Sequence, residues 1–465
     1  MTSQPSDSFD VVVIGGGPVG ENVAARAVRG GLTAALIEHE LYGGECSYWA
    51  CMPSKALLRP IELRAAALRV PGLPVGALDV DKVLARRDAF TSHWDDSGQE
   101  KWVVDTGIEA VRGHGRLTGV KTVDVTGRTL TARQAVVIAT GTAAAVPAIP
   151  GLVEAKPWTS REVTSAKQIP RRLVVLGGGV VACEMAQAMK GLGAQEVTVL
   201  ERADGVLARM EPWAGELVAA GMREMGIDVR TGATAVQVRR EGADVTVTLA
   251  DGSTVTADEV LCALGRQPAS SDIGLEKVGL TPGDYLSVDD SLRVDGVDWL
   301  YAAGDINGRS LLTHMGKYQA RVCGDVIVAR AKGTPDDLPP LRATADAAQV
   351  PQVVFTDPQG CSVGLTEADA RERGLDVRVV TYELGNVAGG SLQGDGYSGR
   401  AALVVDEARR VIVGATFVGP EVADLLHSAT IAVVGEVTLD RLWHAVPSYP
   451  TVSEVWLRLL EEYGL

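Results

Sequence analysis

The feature that most constrains this chain is a unit it carries twice. Residues 9–40 read "FDVVVIGGGPVGENVAARAVRGGLTAALIEHE" and residues 172–203 read "RLVVLGGGVVACEMAQAMKGLGAQEVTVLERA". Each reads as an apolar strand, a glycine turn, an Ala-rich helix and a second strand ending in an acid, so the chain contains an internal duplication. This pattern predicts an α/β protein with two Rossmann-like domains. In each unit the physics is that of dinucleotide binding. Gly15 and Gly177 permit a tight turn out of the strand, while Gly17 and Gly179 let backbone amides approach a pyrophosphate at a helix N-terminus, where the dipole favours anions. Gly20 and Ala182 keep each helix close to its strand. Glu38 and Glu201 fall about twenty residues further on, where a carboxylate accepts hydrogen bonds from ribose hydroxyls. Two bound dinucleotides predict hydride or electron traffic between them, because holding both removes the entropic cost of their encounter. At the second unit, Glu201 favours NADH by repelling a 2′-phosphate, whereas the adjacent Arg202 could accept one, so NADH and NADPH both stay open.

Composition sets the outer bounds. With 465 residues and 46% hydrophobic content, the chain can bury about three domains. Its 44 basic and 59 acidic residues leave a formal charge of −15, and no Lys/Arg block stands out. That balance argues against nucleic acid and anionic membranes as partners and for a small molecule. The polar start, "MTSQPSDSFD", lacks the basic and apolar regions of a signal peptide, which points to the cytoplasm. The longest uncharged run, from Ala135 to Val153, is broken by two prolines and two glycines, which excludes a membrane span there.

Six cysteines occur, and only Cys46 and Cys51, in "GGECSYWACMPSK", are near neighbours. No second pair and no His cluster accompanies them, so a tetrahedral zinc site lacks ligands and no metal is expected. An ideal helix would set residues five apart at about 8–9 Å between Cα atoms, beyond disulfide reach. A Cys46–Cys51 bond therefore requires a distorted turn, which "GGEC" and Pro53 favour. Closing so short a loop stabilises little, which argues against a structural staple and for a readily reduced pair. Cys183, Cys262, Cys323 and Cys361 sit among apolar or small residues and read as inert packing.

This layout, with "GGECSYWACMPSK" between the two units, resembles the flavin-dependent pyridine nucleotide–disulfide oxidoreductases, the group of dihydrolipoamide dehydrogenase, glutathione and mycothione reductases and mercuric reductase. The segments "VVIATGT" (136–142), "YAAGDINGRSLLTH" (301–314) and "VPQVVFTDPQGCSVGLTE" (350–367) resemble that family's landmarks in the same order. The resemblance implies an FAD-binding domain over 1–150 and 271–342, an NAD(P)-binding domain over 151–270, and a C-terminal α+β dimerisation domain over 343–465 that forms a homodimer. FAD would be held by Gly15, Gly17, Gly20, Glu38, Lys55, Gly115, Thr140, Gly141, Asp305 and Thr313. The nicotinamide dinucleotide would be held by Gly177, Gly179, Ala182, Glu201, Arg202 and Gly265. Cys51 would lie against the flavin, Cys46 would attack the acceptor, and Lys55 would sit near flavin N5, paired with Glu184.

The chain departs from the family where the family places a histidine base and a glutamate that orients it. Here "VPSYPTVSE" supplies Tyr449 and Glu454. A histidine near pKa 6.5 can take and return a proton at neutral pH, whereas a tyrosine near 10 stays protonated. Loss of that base should cost disulfide reduction about 10²- to 10⁴-fold unless another group substitutes, and His444 and His314 are the nearest candidates. Mercuric reductases and soluble transhydrogenases resemble this tyrosine pattern, but the former add a C-terminal cysteine pair absent from "EEYGL", and the latter lack the second cysteine. The acceptor is expected to be a disulfide or another thiol-reactive electrophile, with Hg(II), quinone or nicotinamide as the competing possibilities. A non-catalytic flavoprotein sensor is the most distant alternative.

Overall fold

The computed structural model describes residues 7–465, and the polar start at 1–6 lies outside the described residues. The chain packs as two compact units. The first comprises residues 1–52, 88–144 and 266–347, and the second comprises 53–87, 145–265 and 348–465.

The first unit is built on a sheet in which the strands run in the order Glu109–Arg112, Ala34–Glu38, Ser8–Ile14 and Arg128–Ile138, all parallel. Leu300–Ala302 adds in parallel to Arg128–Ile138, while Thr122–Val125 and Gly115–Gly119 extend the sheet antiparallel. Val11, Val12 and Val13 are all fully buried, as expected of a parallel strand covered on both faces by β-branched packing. Helix Pro18–Arg29 starts from Gly17, with Pro18 in its first turn, where a missing N–H costs nothing. It packs its Val23, Ala24 and Ala27 face into the core shared with the helix Thr313–Ala331.

The duplication read from the sequence extends to strand order. In the second unit Asp228–Arg230, Glu196–Leu200, Arg172–Leu176 and Glu259–Cys262 form a four-stranded parallel sheet in that order. Glycine strand, acid strand and the strand that follows a crossover therefore occupy the same relative positions in both sheets. A three-stranded antiparallel sheet, Ala235–Glu241, Asp244–Leu249 and Thr254–Ala257, packs in the same unit.

The C-terminal part is a separate five-stranded antiparallel sheet. Val411–Gly419 and Arg400–Asp406 lie at its centre, and the helices Leu426–Val434 and Val455–Tyr463 cover it. The architecture is thus two dinucleotide-binding α/β folds and an α+β C-terminal domain. No helix among the described residues is long and apolar enough to cross a membrane.

Candidate functional site

Two glycine turns are shaped by steric exclusion. Gly15 has φ +108 and Gly177 φ +106, conformations that favour glycine. A Cβ on Gly15 would fall 2.4 Å from the Ala139 carbonyl oxygen, and one on Gly177 would fall 2.5 Å from that of Ala263. Each turn is therefore pressed against the end of the neighbouring strand, at "ATG" (139–141) in one unit and "ALG" (263–265) in the other. Gly17 and Gly179 face more open space, with no atom closer than 3.9 Å to an added Cβ. That is the surface to which a pyrophosphate must come close, and at both turns the helix presents its free N–H groups. Near the first turn, Thr140 Oγ1 is buried without a hydrogen-bond partner among the described residues, a polar atom that suits a bound ligand.

The two acids do more than wait for a ribose. Glu38 accepts hydrogen bonds from the Gly16 N–H at 2.8 Å and from the Glu40 N–H at 2.7 Å. Glu201 does the same with Gly178 and, at 2.7 Å, with Ala203. His39 Nδ1 also lies 3.2 Å from Glu38, and these hydrogen bonds keep the Glu38 carboxyl below its ordinary range despite its burial. A carboxylate has about four acceptor positions, so both acids keep capacity for ribose hydroxyls. Arg202, beside Glu201, is exposed.

The cysteine pair lies at a break between helices. Gly43, at φ +102, leads into the short helix Gly44–Tyr48, Trp49 ends it, and the next helix begins at Cys51. The non-helical turn required by the five-residue spacing is present. Both cysteines are free thiols, and their side chains are hydrogen-bonded to each other. The Cys46 thiol is pushed up, first by that bond to Cys51 and then by burial, while Thr313 and Lys317 act in the opposite sense. Thr313 Oγ1 sits 3.4 Å from Cys51 Sγ. The turn is tied down by Trp94, whose indole N–H donates to the Tyr48 carbonyl at 3.2 Å.

Other expected residues fall as follows. Lys55 lies 2.7 Å from the buried Glu184 carboxylate, so these two come together. Asp305 accepts a hydrogen bond from Thr142 Oγ1 at 2.8 Å, and burial raises its carboxyl. Gly115 packs into the sheet core against Ile14 and Ile37, while Gly141 and Gly265 take positive φ where their strands end. Cys183, Cys262, Cys323 and Cys361 are buried, and burial raises each thiol. Tyr449 is 77% exposed, and no hydrogen bond to its hydroxyl occurs among the described residues. Glu454 is buried and accepts from Arg458 at 2.6 Å, so it is not paired with Tyr449 within the chain. His444 and His314 are exposed. No group of three or more His, Cys, Asp or Glu residues among those described could hold a metal ion.

Three residues of this region were not singled out from the sequence. Arg266 donates to both the hydroxyl and the carbonyl of Thr142, and so supports the residue that holds Asp305. Lys317 acts electrostatically on Cys46. Glu21, one turn into the first glycine helix, is 8% exposed. Only Glu21 carried a sequence signal, as an acid in the first turn of a helix meant for a phosphate.

Comparisons with known proteins bear on the chain as a whole. The model of a family described as pyridine nucleotide-disulphide oxidoreductase matches residues 9–330, and that of its dimerisation domain matches 350–459. The chain is 30% identical to mercuric reductase of Staphylococcus aureus, over 97% of this chain and 83% of that protein. It is also 30% identical to dihydrolipoyl dehydrogenase of Chlamydia muridarum, over 97% and 96% respectively. Among solved structures, the Cu(II) complex of the HOCl-induced flavoprotein disulfide reductase RclA from Escherichia coli superposes with a TM-score of 0.85 at 24% identity, covering 98% of this chain and 99% of that one, a likeness of fold.

Proposed function

The chain belongs to the pyridine nucleotide-disulphide oxidoreductase family, and from that premise we propose that it uses NADH or NADPH to reduce a disulfide or other thiol-reactive acceptor through Cys46 and Cys51. It is a flavin-dependent enzyme with FAD and NAD(P)H as cofactors. The residues fit both groups: each glycine turn leaves its approach face open, and each turn has an acid fixed beside it. In our reading the first unit, with Gly15, Gly17, Gly20, Glu38, Thr140, Gly141, Asp305 and Thr313, takes FAD, and the second, with Gly177, Gly179, Ala182 and Glu201, takes the nicotinamide dinucleotide. The domains run over 1–150 with 271–342, over 151–270, and over 343–465.

When bound, FAD supplies two-electron transfer between nicotinamide and sulfur. The chain supplies the sulfur chemistry. Reduction of a Cys46–Cys51 bond by two electrons leaves one thiolate and, after uptake of one proton, one thiol. The observation that carries the assignment is the pairing of the two thiols across the helix break, with the Thr313 hydroxyl 3.4 Å from Cys51 Sγ. In our reading Cys51 is the thiolate, because the Thr313 hydroxyl at 3.4 Å can donate to it. For Cys46 to attack a disulfide acceptor it must lose that proton, forming a mixed disulfide and releasing one acceptor thiolate. Cys51 then displaces the second thiolate and regenerates the Cys46–Cys51 bond. Anaerobic addition of one equivalent of NADH should produce a long-wavelength absorption band from the Cys51 thiolate, and Cys51→Ser should abolish it. A reduced wild-type enzyme with no such band would remove the dithiol from the reaction.

A second reading is favoured by one observation. Tyr449 is exposed and Glu454 is engaged by Arg458, so no histidine–glutamate pair is available to protonate a leaving thiolate. An acceptor that needs no such proton, such as Hg(II) or a quinone, suits this chain better than lipoamide. A panel of lipoamide, low-molecular-weight disulfides, Hg(II) and quinones, run with both nicotinamides, separates the two readings. Tyr449→His should raise lipoamide reduction at pH 7–8 if a disulfide is the native acceptor, and leave the preferred acceptor's rate unchanged otherwise. Exposed Leu392, Ile431, Val434, Val446 and Tyr449 in the C-terminal part support a homodimer.

A further inference from the structure

Glu21 is an anomaly in the first glycine helix. It stands one turn after Gly17, on the helix whose N-terminus meets the pyrophosphate, and it is 8% exposed. Its Oε1 is buried and has no hydrogen-bond partner among the described residues. A carboxylate in the first turn of a helix that is to receive two phosphate charges is an arrangement that Coulomb repulsion and burial both oppose. The neighbouring groups do not resolve this. Lys317, on the helix Thr313–Ala331, attracts it through space, but Lys317 is exposed and makes no ion pair with it. Glu38, on the adjoining strand, repels it. The Tyr48 hydroxyl is also within its field, and Arg26, further along the same helix, is taken up by Asp325.

These same neighbours locate the side chain. Glu38 marks the ribose end of the first site, and Lys317 and Tyr48 belong to the surroundings of Cys46. The buried, unpartnered oxygen of Glu21 thus belongs to the stretch between Glu38 and the cysteine turn. We propose that Glu21 is a ligand of FAD in its neutral form, a carboxylic acid that donates a hydrogen bond to a phosphate oxygen, so that the protein takes up a proton when FAD binds. Burial already lifts this carboxyl to about 7, and the two phosphate charges act in the same direction. The proposal rests on FAD occupying the first unit and is independent of the acceptor.

The sign of the linkage follows. With its pKa near 7 before binding and higher afterwards, Glu21 must be protonated for FAD to bind once the pH exceeds about 7. Affinity therefore falls with rising pH, by up to about tenfold per unit, until the bound-state value is passed. Glutamine has the same shape and a permanent N–H donor, whereas leucine has neither donor nor charge.

The test uses purified holoenzyme between pH 6 and 9. Phosphorus NMR of bound FAD should show a pyrophosphate shift that is independent of pH in Glu21→Gln and, in the wild type, constant below the bound-state pKa and titrating only beyond it. The FAD dissociation constant, from flavin fluorescence on dilution, should rise about tenfold per unit above pH 7 in the wild type. It should stay flat and tight in Glu21→Gln, and flat but at least tenfold weaker in Glu21→Leu. A wild-type FAD dissociation constant that stays flat from pH 6 to 9, or an unchanged pH slope in Glu21→Gln, would overturn the proposal. If Glu21→Gln fails to fold, the pH slope of the dissociation constant in the wild type against Glu21→Leu decides.

Discussion

Lys55 Nζ lies 2.7 Å from Glu184 Oε2, and the other carboxylate oxygen of Glu184 accepts the Phe355 N–H at 3.0 Å. The lysine head also lies 4.8 Å from the centre of the Phe355 ring. One buried acid thus joins the helix that begins at Cys51 to the segment entering the C-terminal sheet. Because the Lys55 side chain is 34% exposed, water screens part of this attraction. Glu184→Gln, which keeps the Phe355 bond, should lower stability by about 1–2 kcal/mol, and Lys55→Met, which leaves the acid alone, by about 2–3 kcal/mol. Urea denaturation followed by circular dichroism measures both, and equal losses would show that leaving the buried carboxylate unpaired adds no cost of its own.

The bond from Cys51 is the largest influence holding the Cys46 proton. Removing it should bring the Cys46 thiol down toward its ordinary range. In reduced enzyme at pH 8, Cys51→Ser should therefore make Cys46 react with iodoacetamide about tenfold faster, one unit of pKa corresponding to that factor. Mass spectrometry of the alkylated peptide reports the rate, and an unchanged rate would mean that burial alone controls the thiol.

The third glycine positions differ between the two units. A Cβ on Gly20 would lie 1.9 Å from the Gly15 carbonyl oxygen, whereas Ala182 carries its methyl group fully buried in the equivalent place. Gly20→Ala should force the first turn apart, costing about 1–3 kcal/mol and yielding protein depleted of FAD on purification. Ala182→Gly should cost only about 1 kcal/mol and leave FAD content unchanged. The ratio of flavin to protein absorbance distinguishes the two cases.

At the sheet edge, Asp10 accepts from Thr33 and Arg133, and the Arg133 bond leads in lowering its pKa from 3.8 to about 2. A depressed acid contributes stability that is fully present above 3.8 and lost as pH falls through about 2. Asp10→Asn should therefore lower the unfolding midpoint of the first unit at pH 7, by a loss of about 1–2 kcal/mol. Variant and wild type should converge as pH falls through that window in thermal melts, and parallel curves would contradict the assignment.

What could be read in the sequence was what repeats or lies close along the chain. Gly15 and Gly177, Glu38 and Glu201, and the break between Cys46 and Cys51 follow from local spacing. Lys55 and Glu184 were paired only through family resemblance, since nothing local connects them. Arg87 was invisible for the same reason: it is fully buried and donates to the carbonyls of Thr164 and Ala166, a partnership formed only by folding. Three successive residues, Ser92, His93 and Trp94, adopt positive φ without a glycine to announce it. Their turn persists because it delivers the Trp94 indole to the Tyr48 carbonyl, and a long-range bond outweighs local preference there.

The acid of each duplicated unit holds the middle glycine of its own turn through the Gly16 and Gly178 N–H groups. On the assignment proposed above, sugar recognition and phosphate recognition are consequently parts of one rigid body. A lineage that replaced Glu201 to welcome a phosphorylated ribose would also unfasten the loop that grips the pyrophosphate. Switching coenzyme on this scaffold therefore takes at least two coordinated changes, which makes coenzyme preference resistant to drift by single substitutions.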